Sequence, residues 1–250
     1  MIREFFCEFK RNLAELNKYK FNLIFANLQI FILAYMLTKY FFADNKEIIF
    51  LLLIIWYFST HGLSIPTYIV EEEILDRTLL SILQSETGVL KVVILRCVNT
   101  FFIDIIKAVP VFTFLYFVGN FDKSVFEYGF IKLTVIIMSV FYSYSVGIFL
   151  SSFVFVFKRF SSFISLTYYY ILFFGGITSI IENKILFFTT KLLLPYINAR
   201  IIFENLLSNK ISVIVICYLI LQIFVMSLLA YLLFSNLLRK SIEKGDLYGI

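Results

Sequence analysis

The side chains best suited to hydrolytic chemistry lie in one charged segment, residues 69–96. Glu72 and Glu73 are adjacent, and Arg77 follows four residues after the second glutamate. Paired glutamates can activate a water molecule within a membrane when two histidines complete the site. The chain has a single histidine, His61, which precedes the pair, and its three cysteines are scattered. We therefore predict no catalytic residue, no metal site and no enzymatic activity.

The same segment predicts a docking surface for a soluble protein. It lies between two long apolar runs, and its charges exclude it from lipid, so it is expected at or beyond the membrane surface. An acidic helix end offers several charge-assisted hydrogen bonds to a basic groove. The alternative is a solvated charge cluster that only sets topology. The predicted docking residues are Glu71, Glu72, Glu73, Asp76, Arg77 and Thr78.

Two charged residues lie inside another apolar run and predict an intramembrane polar pair. Asp104 and Lys107 are three residues apart and therefore share one face of a helix. An unpaired charge at mid-membrane costs about 2.5 to 3.5 kcal/mol, so the two are expected to pair. The pair either faces a transport path or neutralises itself between packed helices. His61 is either a proton-sensitive group or a packed polar residue near the interface.

Aromatic residues form 20% of the chain and crowd two of its apolar runs. Aromatic walls suit apolar or amphipathic cargo, such as a lipid, a hydrophobic peptide or a drug. Alternatively, most of these aromatic side chains only face lipid. The residues predicted to line a substrate path are Trp56, His61, Tyr169, Phe173 and Phe174.

Apolar runs of membrane-crossing length must position these side chains. With 61% hydrophobic and 16% charged residues in 250, the chain has too little interior to be a soluble domain. It is predicted to be an all-α polytopic membrane protein with one domain over residues 1–250. The six predicted spans are 21–41, 48–68, 97–118, 130–156, 162–181 and 211–235.

Three further segments complete the predicted architecture. Residues 1–20 place apolar side chains at three- and four-residue spacing, which predicts an amphipathic helix along the membrane surface. Residues 69–90 form the charged helical segment between spans two and three. Residues 182–210 are too apolar for a free loop and too broken for two spans, which favours two short re-entrant helices joined near Pro195.

The basic residues predict the orientation and the partners of the chain. Lys and Arg are more numerous in the segments that share a side with the N-terminus, so both termini are expected in the cytoplasm. Short basic clusters beside the spans are expected to meet anionic membrane lipid, and the net charge of +5 does not indicate nucleic acid. A multi-pass protein of the plasma membrane is predicted.

The topology and two motifs resemble the permease subunits of ATP-binding-cassette exporters, in the type-2 permease superfamily. The sequence motif of that family is approximately E-x-x-x-G-T-L-E-x-L-L-x-S-P, followed by an apolar run that ends in Gly-Lys. The segment Leu192–Leu207 is similar to the family's apolar-proline segment before the last span. Arg77, Leu80 and Glu86 depart from the family's Gly, Glu and Pro. The residues that fit are Glu73, Thr78, Leu79, Ile82, Leu83 and Ser85, with Arg96 near the basic position.

The resemblance implies a coupling helix after span two that seats in a groove of a separate ATPase. It implies two ATPase copies, a second permease chain that is identical or paralogous, and spans two and five around the substrate path. The sequence contains no G-x-x-x-x-G-K-[ST] loop, so ATP and Mg would bind in the partner and no cofactor in this chain. The alternatives are an ATPase-associated immunity or sensor protein and an ion-coupled permease without an ATPase.

Overall fold

A computed structural model of the chain describes residues 2–37, 39, 46–84, 88–119, 121, 123–174 and 184–245. These residues form helices and short connections, and no β-strand occurs among them. A 3₁₀ turn, Lys123–Phe126, precedes the sixth α-helix. The helices are α1 (Ile2–Lys18), α2 (Lys20–Met36), α3 (Lys46–Leu75), α4 (Leu79–Gln84), α5 (Val89–Val118), α6 (Gly129–Ser151), α7 (Val154–Phe157), α8 (Ser161–Phe174), α9 (Lys184–Leu193), α10 (Pro195–Leu207) and α11 (Val213–Lys244).

Four helical segments are long and apolar enough to cross a membrane, which confirms the all-α class and agrees with a membrane protein. They are α3, α5, the continuous segment Gly129–Phe157 and α11. Predicted spans one and five coincide with α2 and α8, whose described lengths are 17 and 14 residues. A bilayer crossing needs about 20 residues. Both predicted spans continue into residues outside the described ranges, so the count of six stays a prediction.

The long helices extend beyond the predicted spans. The sequence placed the end of span two at residue 68 and the start of span three at residue 97. Helix α3 continues to Leu75 and α5 begins at Val89. No glycine or proline interrupts residues 69–75 or 89–96, so the helical conformation can continue through these charged residues. Among the described residues of the segment 69–90, α4 is the separate helix.

The end of α3 is a Schellman motif built on an arginine. The N–H of Arg77 donates to the carbonyl of Ile74 at 3.2 Å, and the N–H of Thr78 donates to the carbonyl of Glu73 at 3.0 Å. Arg77 has φ +59°, the left-handed conformation that glycine adopts at this position of most such motifs. A left-handed conformation costs a non-glycine residue about 1 to 2 kcal/mol.

Helix α3 lies at the centre of the fold, in contact with α5, α6, α8 and α10. Its first half is apolar on every face, as expected for a helix that is surrounded by others. The closest contact is with α6, where a Cβ atom on Gly147 would overlap the carbonyl oxygen of Gly62 and lie 2.9 Å from Cγ of Pro66. Small residues therefore set the distance between these two helices.

Helices α6 and α11 run in the same direction. The rings of Phe155 and Phe234 are 5.1 Å apart, and the hydroxyl groups of Ser145 and Ser227 are 3.1 Å apart. Helix α5 runs antiparallel to α3, because Phe50 meets Phe112 near one end and Glu73 meets Arg96 near the other.

The amphipathic N-terminal segment forms α1, which packs along α5 through Phe5 and Phe102 at 6.1 Å. Two short helices also occur where two were expected, α9 and α10, and they meet at Leu194. Pro195 occupies the first turn of α10, where its missing N–H costs no helical hydrogen bond. Their insertion into a membrane stays a prediction.

Candidate functional site

Glu71, the first predicted docking residue, is buried and caps another helix. Its Oε1 accepts hydrogen bonds from the backbone N–H groups of Phe160 and Ser161, the latter at 2.8 Å. The first N–H groups of a helix lack partners within the helix, and a carboxylate also favours the positive end of the helix dipole. Glu71 therefore fixes the end of α3 to the start of α8.

Glu73, the second buried docking residue, joins three helices through an arginine. Its carboxylate accepts hydrogen bonds from Nη1 of Arg96 and from the hydroxyl group of Thr78. Nε of Arg96 also lies 3.3 Å from Oε1 of Glu8. Arg96 thus connects α1, α3 and α5. The contact with Glu8 could not be predicted from local sequence pattern, because the two residues are 88 positions apart.

The other four predicted docking residues face outward. Glu72, Asp76, Arg77 and Thr78 are exposed. Glu71 and Glu73 are each only 7% exposed, so their carboxylates are engaged within the chain rather than offered to a partner. Two large apolar side chains, Leu75 and Leu80, are also exposed here. We call this exposed patch the α3–α4 surface, formed by Glu72, Leu75, Asp76, Arg77, Thr78 and Leu80.

The predicted intramembrane pair is present and is joined by the single histidine. Nζ of Lys107 lies 3.5 Å from Oδ1 of Asp104. On the other side, Nδ1 of His61 lies 2.8 Å from Oδ2 of the same carboxylate. Asp104 is fully buried between α3 and α5. We call His61, Asp104 and Lys107 the polar triad.

The polar triad holds α3 and α5 together. His61 donates to Asp104 when its proton is on Nδ1, and Lys107 balances the carboxylate charge. The Tyr57 ring packs on His61 with centroids 5.0 Å apart. The spacing of Asp104 and Lys107 was visible in the sequence. The contact of His61 with Asp104 was not visible in the sequence, because it depends on the antiparallel register of α3 and α5.

Two of the predicted substrate-path residues can be placed. Trp56 is half-buried on α3, and its indole Nε1 has no hydrogen-bond partner among the described residues. His61, four turns before the end of α3, belongs to the polar triad. The side chains of Tyr169, Phe173 and Phe174 lie outside the described residues, so their place on a path stays a prediction.

The described part of the chain contains no group of three or more His, Cys, Asp or Glu residues that could hold a metal ion. No protein-family model matches the chain, and no curated protein or solved structure matches it either. The contacts around the end of α3 and the polar triad are therefore the features from which a function can be inferred.

Proposed function

We propose that this chain is the membrane-spanning subunit of an ATP-driven exporter. It works as a dimer with an identical or paralogous chain and couples to two copies of a separate ATPase, which bind ATP and Mg. One domain of six spans lies in the plasma membrane with both termini in the cytoplasm. The cargo is hydrophobic or amphipathic, namely a peptide, a lipid or a drug. The motif resemblance to type-2 permeases supports this proposal.

The observation that carries the proposal is the attachment of the α3–α4 surface to several helices at once. Glu71 binds the start of α8, and Glu73 binds Arg96 and, through it, α1 and α5. A force on the exposed turn would therefore reach α8, α5 and α1 through short polar contacts. A docking element that must pass the motion of an ATPase to its spans needs this kind of attachment.

The chemistry of the α3–α4 surface suits a basic, partly apolar groove. Glu72 and Asp76 present two carboxylates, and Leu75 and Leu80 are 56% and 47% exposed beside them. Carboxylates at the rim of an interface increase the rate of association with a basic partner, while apolar side chains at the centre contribute most of the affinity.

Charge reversal tests this role. We expect Glu72→Lys together with Asp76→Lys to abolish co-purification of an ATPase chain from the native membrane, because both charges would then repel a basic groove. The matched control is Glu127→Lys with Glu204→Lys, which makes the same charge change at exposed residues elsewhere on the chain. Retention of the ATPase by the first pair, at the level of the control pair, would contradict the docking role.

A second candidate function, an ion-coupled permease without an ATPase, is favoured by the polar triad. A fully buried Asp104 with a histidine and a lysine is an arrangement suited to proton transfer within a membrane. This candidate predicts proton flux by the purified chain alone in liposomes that contain a pH-sensitive dye. It also predicts that Asp104→Asn abolishes that flux. Absence of flux from the wild-type chain would exclude it.

A further inference from the structure

An apolar cleft of about 400 Å³ lies between α5, α6 and α11. Its lining includes Ile94, Phe101, Phe141, Tyr144 and Tyr231. A volume of this size falls in the range of pockets that bind small molecules. All three walls belong to helices that are long and apolar enough to cross a membrane.

The cleft is fixed by contacts between its walls and opens sideways. The hydroxyl groups of Ser145 and Ser227, both in the lining, hold α6 to α11 at 3.1 Å. Cys97 is almost fully buried at the base. On the rim, Val98 and Phe141 are 41% and 60% exposed. The opening therefore faces the surrounding bilayer rather than the centre of the fold.

A basic residue marks the end of the cleft at the start of α5. Lys91 is exposed and precedes Ile94 by three residues and Val98 by seven, so it shares their helix face. Helix α5 has 30 residues and is therefore about 45 Å long. The hydrocarbon core is about 30 Å thick, so part of α5 extends beyond it. Because charged residues are costly within lipid, we infer that this part is the end that carries Lys91 and Arg96.

We propose that the cleft binds one acyl chain of an anionic membrane phospholipid, with the headgroup beside Lys91. An apolar lining open to hydrocarbon suits the chain, and a lysine beside the end of that lining suits a negatively charged headgroup. Free polar molecules have no route to this lateral opening through lipid. A lipid would occupy the cleft whether or not the chain works with an ATPase.

Photo-crosslinking tests the position of the acyl chain. The full-length protein is placed in nanodiscs with phosphatidylglycerol that carries a diazirine in the middle of one acyl chain, and the labelled residues are mapped by mass spectrometry. We expect labelling at Val98, Phe101 and Phe141 to exceed that at Leu229 and Leu232 several-fold. Leu229 and Leu232 are 47% and 48% exposed, and they flank the lining residues Ala230 and Tyr231 along α11 without belonging to the lining. Labelling in proportion to exposure would overturn the proposal.

A matched pair of variants tests the cleft itself. Val98→Trp fills the opening, whereas Val109→Trp makes the same change on an exposed part of α5 outside the lining. We expect the first to remove the concentrated labelling and the second to retain it, with equal Tm for both. If Val98→Trp does not fold, the wild-type labelling pattern decides alone.

A change of headgroup tests the role of Lys91. We expect wild-type protein to be labelled roughly fivefold more by the phosphatidylglycerol probe than by a phosphatidylcholine probe with the same chain. Lys91→Gln should remove this preference, and Lys210→Gln, at another exposed lysine, should not. Equal labelling of the wild type by both probes would contradict an anionic lipid in the cleft.

Discussion

Among the glycines that the structure describes, Gly147 has the least room for an added methyl group. A Cβ atom there overlaps the carbonyl oxygen of Gly62, which belongs to a backbone that cannot move aside cheaply. We expect Gly147→Ala to lower the free energy of unfolding by about 1 to 3 kcal/mol, as for other overpacked contacts. Thermal unfolding of the detergent-purified protein measures this.

Gly129 provides the control, because a Cβ atom there would meet nothing within 4 Å. Gly129→Ala should leave Tm unchanged or raise it slightly, since alanine favours a helix over glycine. Equal Tm values for both variants would contradict the close approach of α3 and α6 at Gly147.

At Arg77, a substitution is predicted to raise the free energy of unfolding rather than lower it. Its φ of +59° favours glycine, and the type-2 permease motif has glycine at this position. We expect Arg77→Gly to stabilise the protein by about 1 kcal/mol, whereas Arg77→Ala keeps the unfavourable conformation and gives no such gain. Chemical denaturation curves for the two variants measure the difference. A gain with alanine as large as the gain with glycine would mean that the arginine charge, rather than the backbone, was unfavourable.

The polar triad shows which contacts could be predicted from residue spacing and which could not. The three-residue spacing of Asp104 and Lys107 is enough to predict their contact, because it depends only on helix geometry. The participation of His61 depends on the register between two helices, which local pattern does not determine. The same limit applies to Glu8 and Arg96, and to the burial of Glu71 and Glu73 within a segment that looked wholly exposed.

At the scale of helices, Glu71 is predicted to hold the start of α8. Glu71→Ala leaves two backbone N–H groups without their carboxylate, which costs about 0.5 to 2 kcal/mol at a helix N-terminus. We expect faster hydrogen exchange in the first turn of α8 and a lower Tm. Glu72→Ala, at the exposed neighbouring position, is the control and should change neither. Unchanged exchange in α8 for the Glu71 variant would contradict the cap.

The contact of α3 with α5 makes a second prediction at this scale. Asp104→Asn removes the negative charge and leaves Lys107 unpaired, which costs about 2.5 to 3.5 kcal/mol within a membrane. Lys107→Gln in the same protein should recover part of the lost stability, because no unpaired charge then remains. A double-mutant cycle measured by thermal unfolding gives the coupling between the two residues. A coupling near zero would show that Lys107 does not neutralise Asp104.

Helix ends were predicted less well than helix positions. The four long apolar helices follow from runs of apolar residues, and the sequence located each of them. Helices α3 and α5 extend several residues beyond the predicted span ends at 68 and 97, because a span was predicted to end at the first charges whereas each helix continues through them. The end of α3 is set by the left-handed conformation of Arg77, which the residue type itself disfavours, and by the two hydrogen bonds of the Schellman motif.

For the whole molecule, composition was sufficient to predict an all-helical membrane protein, because so many apolar side chains have no other environment. It was not sufficient to predict the cleft between α5, α6 and α11, which depends on how three helices diverge. The proposed exporter function rests on both sequence and structure. The motif indicates an ATPase partner, and the contacts of Glu71 and Glu73 would carry the motion of that partner to the helices.

Photo-crosslinking from Asp76 in intact cells tests the central claim most directly. A photo-reactive amino acid replaces Asp76 on the α3–α4 surface, and in a control strain it replaces Glu127, another exposed acidic residue. We predict a covalent adduct from position 76 with a chain that contains an ATP-binding-cassette motif, and no such adduct from position 127. Correctly inserted protein that yields no ATPase adduct from position 76 would contradict the exporter assignment.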